Sequence, residues 1–306
     1  MRYICKKVLS VVMAISTFFT ALAGAVRTGD PTFGRKQIDL SDFTLVWSDE
    51  FDGDALDRSK WGYEWWVTMR RGGYWHEDLV SVEDGDLVIR AEYKDEALEL
   101  KEGTYYDWME RYKPGYYTAQ IMTRDKYEQC FGYFETRCIL PAGCGMWSAF
   151  WMMNEGVYNE DGNGRDGTEI DVFESFDYKN YYRGMDCVST NLHFDGYREN
   201  HQSTHVARTW IKNDPYKEYN TYGVEWNENE YIFYINGKEI GRSAFGGVSQ
   251  NPEYLILSME FSGDDGVPSY SDSGAGDIRN TPIENWPCEF RVDYVRCYQY
   301  NRLLEK

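Results

Sequence analysis

The chain has 306 residues, 42% of them hydrophobic and 17% aromatic, which is ample for one large core in a single domain. The net charge is −19. Such a chain is a poor partner for nucleic acid or an anionic membrane, and a heavily sulfated glycan would be repelled without a local basic patch, so neutral glycans are favoured among polymeric ligands.

Residues 1–25 read as a secretory signal peptide: Arg2, Lys6 and Lys7 precede an apolar run from Val8 to Leu22. Ala21-Leu22-Ala23 and Ala23-Gly24-Ala25 both offer small-residue cleavage sites. The run is short for a membrane span. Removal takes three positive charges and no acid, so the net charge falls from −19 to −22. The expectation is a secreted, extracellular protein, not membrane-bound after processing and monomeric. Residues 26–42 are polar and predict a short tether, residues 43–300 a single domain, and 301–306 a tail.

From Leu45 onward, short alternating runs are separated by Gly, Asp and Asn turns. Val80–Arg90 reads as a hairpin around Asp84-Gly85, and Asn236-Gly237 marks another. No long helical period occurs, which predicts an all-β sandwich. Six cysteines follow the signal. Cys130 and Cys138 flank one predicted strand, as do Cys288 and Cys297, which puts each pair roughly 26–30 Å apart at about 3.3 Å per residue, beyond disulfide reach. Cys144 and Cys187 are left to pair with others, or all six are buried thiols. No cysteine or histidine spacing matches a zinc site.

The stretch Gly167-Thr-Glu-Ile-Asp-Val-Phe-Glu-Ser175 sets Glu169, Asp171 and Glu174 among apolar β-formers. On a strand Glu169 and Asp171 share a face, while Glu174, five residues from Glu169, points away. One β-bulge at Val172–Phe173 restores it to the same face. Two carboxyls on one face suit retaining glycosidic cleavage, which needs them about 5–5.5 Å apart. Alternate strand residues lie about 6.6–6.8 Å apart, so the side chains must lean inward on a concave strand. Asp171 between them disfavours ionisation of its neighbours and helps to keep one protonated. An acidic edge strand that resists aggregation would carry the same residues, but here the neighbouring strands are rich in tryptophan.

The Glu-x-Asp-x-x-Glu pattern resembles the bulged catalytic signature of glycoside hydrolase family 16, the form of laminarinases, agarases and carrageenases. Further matches run in order along the chain: Leu45–Gly53, Gly132–Arg137, Met146–Met152, Tyr222–Trp226, Tyr231–Gly237 and Arg291–Arg296. The resemblance implies a concanavalin A-like jelly roll of two curved antiparallel sheets with a substrate cleft on the concave face. It implies Glu169 as nucleophile, Glu174 as general acid/base and Asp171 between them. Trp147, Ala149 and Trp151 share a face by alternation; the spacing alone fits core, and the resemblance places both tryptophans in the cleft. Trp65 and Trp75 lie in a loop-like stretch with Arg70 and Arg71, where they would wall a distal subsite or pack their own loop. A lone histidine is more often structural; the resemblance places His193 beside the acid/base. Leu79 stands where many members have a sugar-binding Asn, and Glu260 where glucanases tend to have a small residue. A structural Ca²⁺ is implied at Glu50, the Gly85 carbonyl and Asp293, with no cofactor for catalysis.

Three functions are weighed. The first is a secreted retaining endo-β-glycanase on β-1,3- or mixed β-1,3/1,4-glucan. The second is the same machinery on a β-galactan or host O-glycan. The third is a lectin-like module with inert carboxylates. The acid triad speaks against the lectin, because clustered negative charge gives a neutral sugar no binding advantage.

Overall fold

Two short turns fix much of the register. Asp84 and Gly85 have φ of 56° and 83°, and Asn236 and Gly237 of 48° and 70°. Both central residues of each turn are left-handed, the conformation that matches a two-residue hairpin to twisted strands. A computed structural model describes residues 30–63, 67–99, 111–176, 178, 187–270 and 276–305. The chain divides into a unit ending at Gly34 and a unit Arg35–Lys306. Of the first, residues 30–34 are described; the Thr32 hydroxyl donates to Asp30 there (2.6 Å).

In the second unit the described strands are, in chain order, β1 (Phe43–Asp49), β2 (Met69–Arg70), β3 (Gly73–Trp75), β4 (Val80–Glu83), β5 (Asp86–Lys94), β6 (Gly115–Thr118), β7 (Gln120–Met122), β8 (Glu128–Gln129), β9 (Gly132–Ile139), β10 (Met146–Met153), β11 (Glu169–Ser175), β12 (Cys187–Phe194), β13 (Gln202–Trp210), β14 (Asn220–Trp226), β15 (Tyr231–Ile235), β16 (Lys238–Ser243), β17 (Glu253–Phe261), β18 (Gly263–Asp264), β19 (Val267–Pro268) and β20 (Cys288–Tyr300). The larger sheet runs β16-β15-β14-β9-β20-β5-β6-β3-β2, with β1 on β20 and β4 on β5. The other runs β13-β12-β11-β10-β17-β7, with β8 on β17. Apart from β3 with β6, the strand pairs are antiparallel. The fold is the two-sheet jelly roll that the strand pattern predicts.

The core lies between the sheets. Phe150 and Met152 of β10, Ile170 and Phe173 of β11, and Leu255 and Leu257 of β17 are fully buried in it. From the opposite sheet come Phe134, Val224 and Phe290. The Phe173 ring sits 4.4 Å from the ring of Tyr222 on β14 and 6.2 Å from that of Phe290 on β20, tying β11 to the layer beneath. Each such side chain stabilises the fold by roughly 1.5–3 kcal/mol through burial. None of the six described cysteines is joined in a disulfide, as one of the two sequence readings allowed.

The structure shortens the expected tether. The Ile38 amide donates to the Gly237 carbonyl (2.9 Å) and the Glu239 amide to Lys36 (2.9 Å), so residues 36–38 lie along the β15–β16 hairpin. Ile38 packs on Tyr133, Ile232 and Tyr234. Backbone hydrogen bonds to the hairpin and the one apolar contact of Ile38 dock the segment. At the other end Asn301–Leu304 form a helical turn where a tail was expected. Residues 1–25 lie outside the described residues, and among the described ones no helix is long and apolar enough to cross a membrane.

Candidate active site

The site is built on β11, between β10 and β12. Trp151 pairs with Asp171 and Phe150 with Phe173, so the register slips by one residue at Val172. On the other side Asp171 pairs with Asn191 and Glu174 with Ser189, a slip at the same place. Val172 and Phe173 are both core residues, 2% and 0% exposed. Two successive inward side chains are what a bulge produces and a regular strand forbids. The energetic reason is burial: both apolar side chains reach the core, and Glu174 returns to the face of Glu169 and Asp171.

Cross-strand pairing carries that face across the sheet. Glu174 sits opposite Ala149, which sits opposite Ser258, which sits opposite Gln120. In the next row Asn191, Asp171 and Trp151 align, and His193 faces Glu169. These residues line a cavity of about 680 Å³, together with Arg70, Arg71, Trp75, Glu260, Tyr197 and His201.

The three acids have different surroundings. Glu174 accepts from the Trp147 indole Nε1 (2.8 Å) and from the Asn191 side-chain amide. Asn191 is itself oriented by His205, whose Nδ1 lies 2.8 Å from Asn191 Oδ1. Glu169 accepts from the Tyr197 hydroxyl. Asp171, 3% exposed, has Oδ2 3.2 Å from His193 Nε2. A polar atom of each of Glu169, Asp171 and His193 lies within 4.8 Å of the others.

Burial, then the charges of Asp171 and Glu169, pushes the Glu174 carboxyl well above the usual range. Burial and Asp171 also raise Glu169, to about 7, against the opposing pull of His193, Tyr197 and Arg70. Burial works to lower His193, but the Asp171 hydrogen bond and charge, with Glu169 and Glu174, outweigh it and raise the imidazole to about 9. Burial and mutual repulsion thus favour the protonated forms of Glu174 and Glu169, while the acids around His193 favour its cation.

The tryptophans divide their tasks. Trp151 is 9% exposed, donates Nε1 to Ser258 Oγ (3.0 Å), and belongs to an apolar cluster with Met122, Met153, Val157, Tyr254 and Ile256. It lines the cleft and is also packed. Trp147 is not an open platform. The Arg71 guanidinium lies 4.3 Å from its ring centroid, and Phe176 packs at 5.2 Å. Trp75 is 4% exposed and donates to the Met259 carbonyl (2.7 Å), so it supports the cavity wall beneath Arg70. Trp65 lies outside the described residues. Leu79 is buried, and Glu260 bridges Arg70 (2.8 Å) and Arg71 (3.0 Å).

The residues do not fit the expected calcium site. Both Glu50 oxygens accept from Arg296 (3.0 and 2.7 Å), and Asp293 pairs with Arg137. Asp86, next to Gly85, pairs with Arg291 (3.0 Å). A dication there would face guanidinium groups, because arginines on β9 and β20 already neutralise the carboxylates.

The chain has relatives among known proteins. The family model described as Beta-porphyranase A-D, GH16 domain, matches residues 44–300. The chain belongs to glycoside hydrolase family 16. Among curated relatives, glucan endo-1,3-beta-glucosidase A1 of Niallia circulans is 28% identical over 85% of this chain, and the chain spans 38% of that protein's length. The beta-glucanase of Rhodothermus marinus is 25% identical over 92% of this chain and 94% of its own. The laminarinase catalytic domain of Thermotoga maritima superposes with a TM-score of 0.63 at 23% identity, covering 85% of this chain and 99% of that one, a likeness of fold.

Among the residues that hold the acids and His193 in place, Asn191, Tyr197, His201 and His205 escape sequence reasoning. Asn191 had a signal, since it lies two residues before His193 on one strand and so shares its face. The other three are set by a loop and a strand-edge register that no local pattern encodes.

Proposed function

We propose that the protein is a retaining endo-β-glycosidase acting on β-1,3- or mixed β-1,3/1,4-glucan. The observation that carries this is the pair of carboxyls that the bulge brings to one face, Glu174 held by Trp147 and Asn191 and Glu169 by Tyr197. Glu174 protonates the departing glycosidic oxygen. Glu169 attacks the anomeric carbon, and a glycosyl–enzyme ester forms. Glu174, now ionised, takes a proton from water, which attacks the anomeric carbon and releases Glu169. The His193 cation keeps Asp171 from overloading the site with negative charge. Homologous glucanases support a glucan as substrate, and the basic start of the chain followed by an apolar run supports export.

One observation favours a second reading with the same chemistry on a β-galactan or host O-glycan. Arg71 covers the Trp147 ring and Glu260 takes a place that glucanases tend to give a small residue, so the far subsites are polar. The matched family model is also one of porphyranases. Reducing-sugar release from a panel of laminarin, mixed-linkage glucan, agar-type galactans and mucin decides. Release from a β-glucan as oligosaccharides of several lengths is the expected result. Release from a galactan or mucin alone supports the second reading, and binding without release refutes catalysis.

A further inference from the structure

The connection between β12 and β13, residues 195–201, returns over the site and is tied down along its length. Asp195 and Gly196 form a left-handed pair, with φ of 61° and 70°. The Gly196 amide donates to the Val157 carbonyl (2.6 Å), the Gly162 amide to Asp195 Oδ1 (3.1 Å), and the Asn200 side chain to Glu160 (2.6 Å). This pinned turn delivers two side chains. Tyr197 packs edge-on against Tyr158, ring centroids 5.7 Å apart, and turns its hydroxyl in to Glu169 Oε2. His201 stacks on His193 with centroids 5.0 Å apart, and its Nε2 lies 2.9 Å from His193 Nδ1.

The protonation states give this geometry a direction. Burial and the Glu169 charge keep the Tyr197 phenol well above its ordinary range, so it is a proton donor. His201 is held below its ordinary range by burial and by His193, so it is neutral and accepts from the His193 cation. His193 is thereby anchored at Nδ1 while Nε2 faces Asp171.

We propose that Tyr197 is the positioning residue of the nucleophile: its hydroxyl holds one oxygen of Glu169 so that the other is presented to the anomeric carbon, and the pinned 195–201 loop holds the tyrosine there. The inference rests on Glu169 being the nucleophile. A carboxylate on a long side chain has rotamers to lose, and a fixed donor on one oxygen removes them before the substrate binds. Donation to the ionised form also favours that form. The groups facing Glu169 are Asp171 and Glu174 on its own strand, His193 on β12, Arg70 on β2, Tyr158 after β10 and Glu253 on β17. All of them remain in Tyr197→Phe, which removes the hydroxyl and keeps the ring.

The test compares wild type and Tyr197→Phe with an activated 2-deoxy-2-fluoro aryl glycoside of a sugar that the panel identifies, which traps the glycosyl–enzyme ester. Wild type is expected to be labelled on Glu169. The variant should be labelled on the same residue roughly 10- to 100-fold more slowly, the effect of one charge-assisted hydrogen bond. Its acid limb of kcat/KM should move to higher pH, because Glu169 must be ionised to attack and has lost a donor that favours ionisation. Labelling per folded molecule at the wild-type rate, with the acid limb in place, overturns the positioning role, whatever happens to the melting temperature. Wild-type labelling at a residue other than Glu169 overturns the nucleophile assignment, and the inference with it.

Discussion

Glu174→Gln is expected to lose about 10²- to 10⁴-fold in turnover on the natural polysaccharide, the usual worth of a general acid. The amide keeps the shape of the side chain but has one oxygen, so it can accept from only one of the Trp147 and Asn191 donors, which reach different oxygens of Glu174. The proton that the glycosidic oxygen needs is gone. On a substrate whose leaving group departs without protonation, glycosylation should proceed at a rate near that of wild type. The alkaline limb of the pH profile should vanish there too, because that limb is the loss of the Glu174 proton. Glu169→Ala should be inactive on both substrates. If azide restores Glu169→Ala with a product of retained configuration, the two glutamates have exchanged roles.

Trp151→Ala should damage both stability and activity, and Trp151→Phe separates the two. A cleft residue that merely contacts sugar would leave the melting temperature alone when truncated, which is what the family resemblance implies for Trp147 and Trp151. The structure alters that expectation, because Trp151 is 9% exposed and packs in an apolar cluster. Truncation to Ala should cost about 3–5 kcal/mol, as for other large buried side chains. Phenylalanine keeps the cluster filled but shortens the surface facing the sugar and removes the bond to Ser258. A smaller stability loss with a fall in kcat/KM, read by thermal melting and steady-state kinetics, is the expected outcome. Full activity in the folded fraction of Trp151→Phe would assign Trp151 to the core alone.

The comparison of sequence with structure turns on range. The bulge at Val172 was legible because an acid spaced by five from Glu169, with two apolar residues before it, can satisfy both core and cleft in no regular strand. The hairpins at Asp84-Gly85 and Asn236-Gly237 were legible because the turn conformation demands those residue types. The two-sheet sandwich followed from alternation and from the lack of a helical period. The wall made by Arg70, Arg71 and Glu260 was not legible, since Arg70 and Glu260 are separated by 190 residues and meet only through the sheet order. Trp147 likewise reads as a sugar platform until Arg71 is found on its ring. The expected calcium ligands carry the right oxygens, but their arginine partners on β9 and β20 were visible only in register.

Two carboxyls on one bulged strand that cleave a β-glycosidic bond by double displacement leave the anomeric configuration unchanged. Proton NMR of the first reducing-end anomer, recorded before mutarotation on the polysaccharide that the panel identifies, reads this out. The β-anomer is expected first and the α-anomer only later. An α-anomer formed first would mean direct attack by water, and would contradict the nucleophilic role of Glu169.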